Sequence, residues 1–153
     1  MRLTTRTNLA MRTLMFCAVN SGRIVRKHEI AAACNASENH LAQVVNTLAQ
    51  RGFIDTQRGR SGGLRLNRPM EEIGVGAVLR EFETSVPFAE CFDAANNTCP
   101  LVDACLFRDA LLAALEAFYA AMDDITLADL VENNAALEHI LRMSGDRPIV
   151  PCA

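Results

Sequence analysis

Three cysteines, Cys91, Cys99 and Cys105, fall within fifteen residues and are separated by seven and then five residues. Between the first two lies the turn-forming run Asn96-Asn97-Thr98, and directly after the second comes Pro100, a residue suited to opening a helix. A polar loop bearing two soft ligands, with a third about one helical turn further on, can wrap a metal centre. Three cysteines leave one coordination position open, which a reactive centre needs and a closed structural site does not. The competing reading is that all three are small buried hydrophobes, the common fate of free cysteine. It fits poorly, because Cys91 and Cys99 sit among polar, turn-forming residues rather than on an apolar face.

The elements that must position these thiols can be read from composition and periodicity. A chain of 153 residues, half of them hydrophobic, can bury a real core. It suits one compact unit, or a small domain with an extension used for pairing. No apolar run approaches membrane-spanning length, and Met1-Arg2-Leu3-Thr4-Thr5 lacks a signal-peptide core. A cytoplasmic protein with no membrane contact is expected. In that reducing compartment its six cysteines read as ligands or redox groups rather than permanent disulfides. The net charge of −3 conceals a segregation: residues 1–68 hold eleven Lys/Arg against three Asp/Glu, and residues 69–153 hold four against fifteen. Only the first half is expected to meet a polyanion.

Along the chain, a helix is expected over residues 5–19, capped by Thr5 or Thr7 and stopped near Asn20-Ser21-Gly22, with Cys17 in the core. A short helix over 26–34 and a second over 38–51, joined by Asn35-Ala36-Ser37 with Ser37 as N-cap, make a helix-turn-helix pattern. Leu41, Val44, Val45 and Leu48 form the buried stripe of the second helix. Ser37, Asn39, His40 and Gln43, at its exposed N-terminal end, are candidates to hydrogen-bond base edges or phosphates in a major groove. Strands over 53–57 and 64–66 enclose Arg58-Gly59-Arg60-Ser61-Gly62-Gly63. There glycine permits a tight turn and close backbone approach to phosphate. Arg58, Arg60 and Arg65 supply charge for phosphate or a minor groove. A basic hairpin directly after a helix-turn-helix is a winged helix. The expected fold class is mainly α: a winged helix-turn-helix with a small two-stranded wing and a long C-terminal dimerisation helix.

Residues 1–68 are read as the DNA-binding domain, 69–144 as the thiol loop with dimerisation helices, and 145–153 as a disordered tail that removes Cys152 from the ligand set. A short helix is expected over 75–82. The longest should run from Pro100 or Leu101 to Met122, with Phe107, Leu111, Leu115, Phe118 and Met122 at three- and four-residue intervals and Leu112 and Tyr119 widening the stripe. That broad apolar face can pair with a second subunit, as a winged helix needs in order to read a two-fold symmetric operator. Thr126 and Asp129 form a capping pair for a helix over 127–131, and a weak helix covers 135–143. No cofactor fingerprint or catalytic triad is present, His28 and His139 read as solvated helix residues, and no enzyme is expected.

The opening Met1-Arg2-Leu3-Thr4, the glycine- and arginine-rich wing, and the loop carrying Ala89-Glu90-Cys91-Phe92 and Cys99-Pro100-Leu101-Val102-Asp103 resemble the Rrf-two family of winged-helix regulators over roughly the first 130 residues. The cysteine spacing is similar to that of its NsrR/RirA branch. The resemblance implies a homodimer that binds double-stranded operator DNA under the control of an iron–sulfur cluster held by Cys91, Cys99 and Cys105. The cluster would be 4Fe–4S, with 2Fe–2S or 3Fe–4S as variants. NsrR-type members commonly supply a fourth ligand, an aspartate of the first helix, from the partner subunit. The corresponding residue here is Asn8, a neutral amide. Asn8 is therefore a candidate fourth ligand or cluster neighbour, alongside Glu90, Asp93, Asp103 or water. Arg108 stands near the place where another branch carries a histidine. The implied function is a repressor that senses nitric oxide or iron status. A metal-free switch, in which peroxide joins two cysteines, is the alternative.

Overall fold

Thr4 sets the start of the first helix: its backbone is extended, its side chain accepts the Thr7 N–H, and α1 (Thr5–Val19) follows. The expected caps Thr5 and Thr7 are instead helical residues, because Thr4 already supplies the accepting oxygen. The structure is a computed structural model that describes residues 3–83 and 87–142. The expected tail over 145–153, Cys152 and the end of the 135–143 helix lie outside the described residues.

Beyond α1 come α2 (Lys27–Ala33) and α3 (Glu38–Gln50), then the antiparallel pair β1 (Ile54–Gln57) and β2 (Gly63–Leu66). At the start of α2 the Glu29 carboxylate accepts the Arg26 N–H at 2.6 Å and a guanidinium N–H of Arg23 at 3.1 Å. Asn35 turns the chain with a φ of 50°, a conformation that asparagine tolerates better than most residues. Ser37 then accepts the His40 N–H at 3.3 Å and opens α3. This is a helix-turn-helix followed by a two-stranded wing, as the periodicity implied.

The wing is anchored at its base by a third segment. Val25 and Leu64 exchange backbone hydrogen bonds at 2.9 and 2.7 Å, so the chain between α1 and α2 pairs with β2. This pairing explains Gly63, and the hairpin's own backbone explains Gly62. A Cβ on Gly63 would overlap the Val25 carbonyl oxygen and the Ile24 side chain, and one on Gly62 would overlap the Gln57 carbonyl oxygen. The close approach these two glycines permit is to the chain's own backbone. Gly59, with φ at 103°, is the one that makes the turn.

A 3-10 turn (Met70–Glu72) leads into α4 (Val75–Glu83), and after the thiol segment come α5 (Leu106–Asp123), α6 (Leu127–Val131) and α7 (Ala135–Leu141). Leu127 N–H donates to the Ile73 carbonyl at 2.8 Å, and Val75 N–H to the Ile125 carbonyl at 2.8 Å, tying the end of the chain back to the start of α4. Thr126 and Asp129 cap α6 reciprocally, as expected. One core joins α1 (Leu9, Leu14, Phe16), α3 (Leu41, Val44, Leu48), the wing base (Val25, Leu64), α4 (Val78, Phe82) and α6 (Leu127).

The long helix departs from expectation. It opens at Leu106, because residues Val102–Ala104 form a 3-10 turn and the cap is Cys105 rather than the region of Pro100. No residue of α5 is buried. Leu106 is 82% and Phe107 70% exposed, so the N-terminal end of its apolar stripe faces solvent, while Arg80 of α4 reaches Asp123 near the other end at 2.7 Å.

The wing anchor makes a specific prediction. Gly63→Ala should lower stability by about 2 kcal/mol through overpacking against Val25, whereas Gly22→Ala, with open space around its Cα, should stay within about 0.5 kcal/mol of the parent. Urea denaturation followed by circular dichroism measures both.

Candidate functional site

The sequence of α3 sorts its residues by face. Leu41, Val44, Val45 and Leu48 turn into the core, which leaves Asn39, His40, Gln43 and Asn46 exposed on the outer side. Ser37 is exposed too, with its hydroxyl engaged as the cap. Arg58 and Arg60 are exposed at the wing tip. Between α3 and the wing runs a groove of about 510 Å³, whose wall includes Arg26, Lys27, His28, Asn46, Arg58 and Arg60. Arg26 donates to the Arg60 carbonyl at 3.3 Å and so fastens the wing tip to the start of α2.

Two residues differ from what their type alone indicated. Arg65 forms a two-pronged pair with Asp55 on the opposing strand, at 3.1 Å from Nε and 2.9 Å from Nη2, so its charge is met within the wing. His28 is exposed, but it stands on the groove wall beside Arg26 and Lys27 rather than on an indifferent surface. Sequence reasoning passed over that Arg26-Lys27-His28 run. The signal was there, as a basic triplet at the start of the helix that leads into the reading helix.

The thiol loop is built by its polar residues. Cys91 lies in a 3-10 turn (Glu90–Phe92), Cys99 follows the Asn-Asn-Thr run, and Cys105 caps α5. One oxygen of Glu90 accepts both the Thr98 hydroxyl, at 2.7 Å, and the Thr98 N–H, at 2.8 Å. These two donors hold its carboxyl below the usual carboxylate range. They also bridge the residue before Cys91 to the residue before Cys99. Asp93 accepts the Asn96 side chain at 2.9 Å and the Ala95 N–H at 3.0 Å, and its carboxyl too is held low by those bonds. Asn97 accepts the Cys99 N–H at 3.1 Å. The Cys105 sulfur accepts the Arg108 N–H at 3.4 Å. It sits at the N-terminal end of an 18-residue helix.

All five cysteines among the described residues are free thiols; Cys91, Cys99 and Cys105 are half-buried, whereas Cys17 and Cys34 are buried. Among the described residues no three His, Cys, Asp or Glu side chains stand close enough together to hold a metal ion. The loop thus carries the three sulfurs on one surface segment without converging them. Asn8 lies on a different element, exposed on α1, with its amide donating to the Thr4 carbonyl at 3.3 Å. The donor set nonetheless fits an iron–sulfur group. Glu90 and Asp93 are engaged in holding the loop, and what the segment offers is soft sulfur, which selects iron–sulfur clusters or zinc over hard cations.

A helix-turn-helix with an outward-facing reading helix and a basic, glycine-rich wing defines a winged-helix transcription regulator. The model of the Rrf2 family, described as iron-dependent transcriptional regulators, matches residues 3–133, and the chain belongs to that family. It is 44% identical over 143 residues to the HTH-type transcriptional regulator NsrR of Geobacillus kaustophilus, covering 93% of this chain and 97% of that one. It is 41% identical over 151 residues to protein aau3 of Rhizobium meliloti, covering 99% of this chain and 97% of that protein. Among solved structures, T. potens IscR superposes with a TM-score of 0.70 at 23% identity over 87% of this chain and 88% of that one. The oxidized form of Staphylococcus aureus CymR does so with a TM-score of 0.67 at 25% identity, over 86% and 97%. The chain is thus a transcriptional regulator, the description that its family and its NsrR relative carry. Among the described residues no helix is long and apolar enough to cross a membrane.

Burial divides the cysteines by reactivity. Burial, with the neighbouring Cys34 adding to it, pushes the Cys17 thiol up to about 12, and burial raises Cys34 as well. Both remain protonated near neutrality and shielded. Iodoacetamide applied to the native, iron-free protein should label Cys91, Cys99 and Cys105 and leave Cys17 and Cys34 untouched until denaturant is added. Peptide mass mapping reads the pattern, and native labelling of Cys17 would contradict it.

Proposed function

We propose that this regulator is a homodimeric, cytoplasmic repressor whose grip on its operator depends on an iron–sulfur cluster held by Cys91, Cys99 and Cys105, and that it responds to nitric oxide or to iron status. The observation that carries the reading is the placement of three free, half-exposed thiols on one polar loop whose last member caps a long helix. The family description as iron-dependent regulators and the NsrR relatives support it. When bound, the cluster supplies iron–thiolate bonds and an iron open to attack by nitric oxide, with a 4Fe–4S form favoured by three cysteines and a weak fourth ligand. Asn8 of the other subunit is the candidate neighbour at that fourth position.

The chain's own residues then do the coupling. Cys105 is at once a ligand and the cap of α5, so what its sulfur binds bears on the first turn of that helix. Leu106, Phe107 and Leu112, exposed on α5, supply apolar surface for a second subunit. The subunit arrangement in turn sets the distance between two copies of α3, which a two-fold operator fixes. Ser37, Asn39, His40 and Gln43 read the major groove. Arg58 and Arg60 hold phosphate or minor groove, and Arg65 adds charge tempered by Asp55. A bias of a few kcal/mol between the arrangements is enough to switch occupancy.

A second reading, a metal-free thiol switch, draws on the lack of a converged three-donor group among the described residues. It would show as a peroxide-induced disulfide between two of the loop cysteines in protein that carries no metal. For the main reading, Cys91→Ala, Cys99→Ala and Cys105→Ala should each give a folded, colourless protein with its regulated DNA binding lost, read by absorption spectra and operator gel shifts under argon. A variant that stays brown and still responds to nitric oxide would overturn the ligand assignment.

A further inference from the structure

The three cysteines are spaced along a surface loop, yet the intervals between them are not left open. The Glu90–Thr98 pair spans the first interval, and one residue, Arg108, links the first cysteine to the third. Its Nε donates to the Cys91 carbonyl at 3.2 Å, across seventeen positions of sequence. Its guanidinium stands 5.6 Å from the centre of the Phe92 ring, next to Cys91, and Phe92 meets Phe88 edge-on at 6.3 Å. Its backbone N–H donates to the Cys105 sulfur at 3.4 Å. Arg108 is half-buried, unlike the exposed Leu106 and Phe107 on the same turn of α5. A long cationic side chain at a helix start usually points to water, and acidic rather than basic residues suit that end of the dipole. This one is turned back onto the loop.

We propose that Arg108 is a positioning residue for the thiol loop: it joins the first cysteine to the third before any metal arrives and holds both against α5 once iron is bound. The inference rests on the reading that Cys91, Cys99 and Cys105 hold an iron–sulfur group. The planar fork matters as well as the charge, because one edge must reach a carbonyl while the face lies on an aromatic ring. Lysine carries the charge on a flexible stem and cannot do both. A residue that orients ligands through such contacts tunes how tightly the metal is kept without binding it.

The test uses the full-length protein with Arg108→Ala, Arg108→Lys and, as a control at a surface ion pair far along the chain, Arg142→Ala. Amide hydrogen exchange on the iron-free protein should rise severalfold in the peptides covering 88–105 for Arg108→Ala and remain unchanged in α1 and α3. In protein loaded with iron and sulfide without oxygen, transfer of iron to a chelator should be about tenfold faster. Arg108→Lys should recover less than half of either effect, and Arg142→Ala should match the parent. Parental exchange and parental iron loss in Arg108→Ala would overturn the assignment while leaving the cysteine ligands standing. If the parent protein takes up no iron at all, the ligand reading fails instead, and the exchange data on the iron-free loop alone decide whether Arg108 holds it. General loss of protection across α1 and α3 would mean a fold-wide role and would also overturn the proposal.

Discussion

Helix α1 is the wall on which the other elements are built, and its burial is the constraint that the rest inherits. Leu14 and Phe16 are fully enclosed, each worth about 1.5–3 kcal/mol of apolar burial. Helix α1 as a whole packs against elements drawn from both halves of the chain, α3 from the first and α4 and α6 from the second. The N-terminal end of α1 is fixed by a polar contact as well. Glu83, at the end of α4, accepts the Thr4 N–H at 2.8 Å and the hydroxyl of the fully buried Thr7. The last residue before the thiol segment therefore holds the first turn of the helix that carries Asn8. The residues proposed to sense and those proposed to read DNA thus share one support, α1.

Charge follows the same division. Arg26, Lys27, Arg58 and Arg60 line the groove between α3 and the wing, and Arg26 ties the start of α2 to the wing tip. Several acidic residues of the second half serve local geometry. Glu90 and Asp93 fold the thiol loop, Asp123 pairs with Arg80, and Asp129 caps α6. An acidic second half disfavours contact of that part of the surface with a polyanion, in keeping with the wing and α3 as the face proposed to meet DNA. What this half does not satisfy internally is apolar: the start of α5 puts Leu106 and Phe107 into solvent, surface that a second subunit is proposed to cover.

Much of this was legible from local pattern. The helix-turn-helix emerged because two short helices meet at the turn-forming Asn35-Ala36-Ser37 and the second carries an uninterrupted apolar stripe. Ser37 and the Thr126/Asp129 pair announced their caps through residue type alone. The errors have a common cause, since each turns on a contact distant in sequence or on an atypical cap. The long helix was expected to start near Pro100 because proline suits a first turn, but a cysteine sulfur does the capping at Cys105. Of two wing glycines read as letting backbone approach phosphate, Gly63 makes room for the distant segment at Val25 and Gly62 for the Gln57 carbonyl. Arg65 reads as charge for phosphate or a minor groove, and local pattern does not show its cross-strand pair with Asp55. Arg108 drew notice only as the absence of a histidine, because no local pattern shows a side chain folding back across seventeen residues.

The central claim is that sulfur-bound iron controls the hold on DNA, and one preparation can test it. Protein purified without oxygen would be assayed for iron and acid-labile sulfide, and its operator affinity measured before and after the iron is withdrawn by a chelator. The account predicts near-stoichiometric cluster and a loss of affinity of at least about tenfold on stripping. A well-folded protein that holds no iron, or one that binds its operator equally well with and without it, would contradict the account.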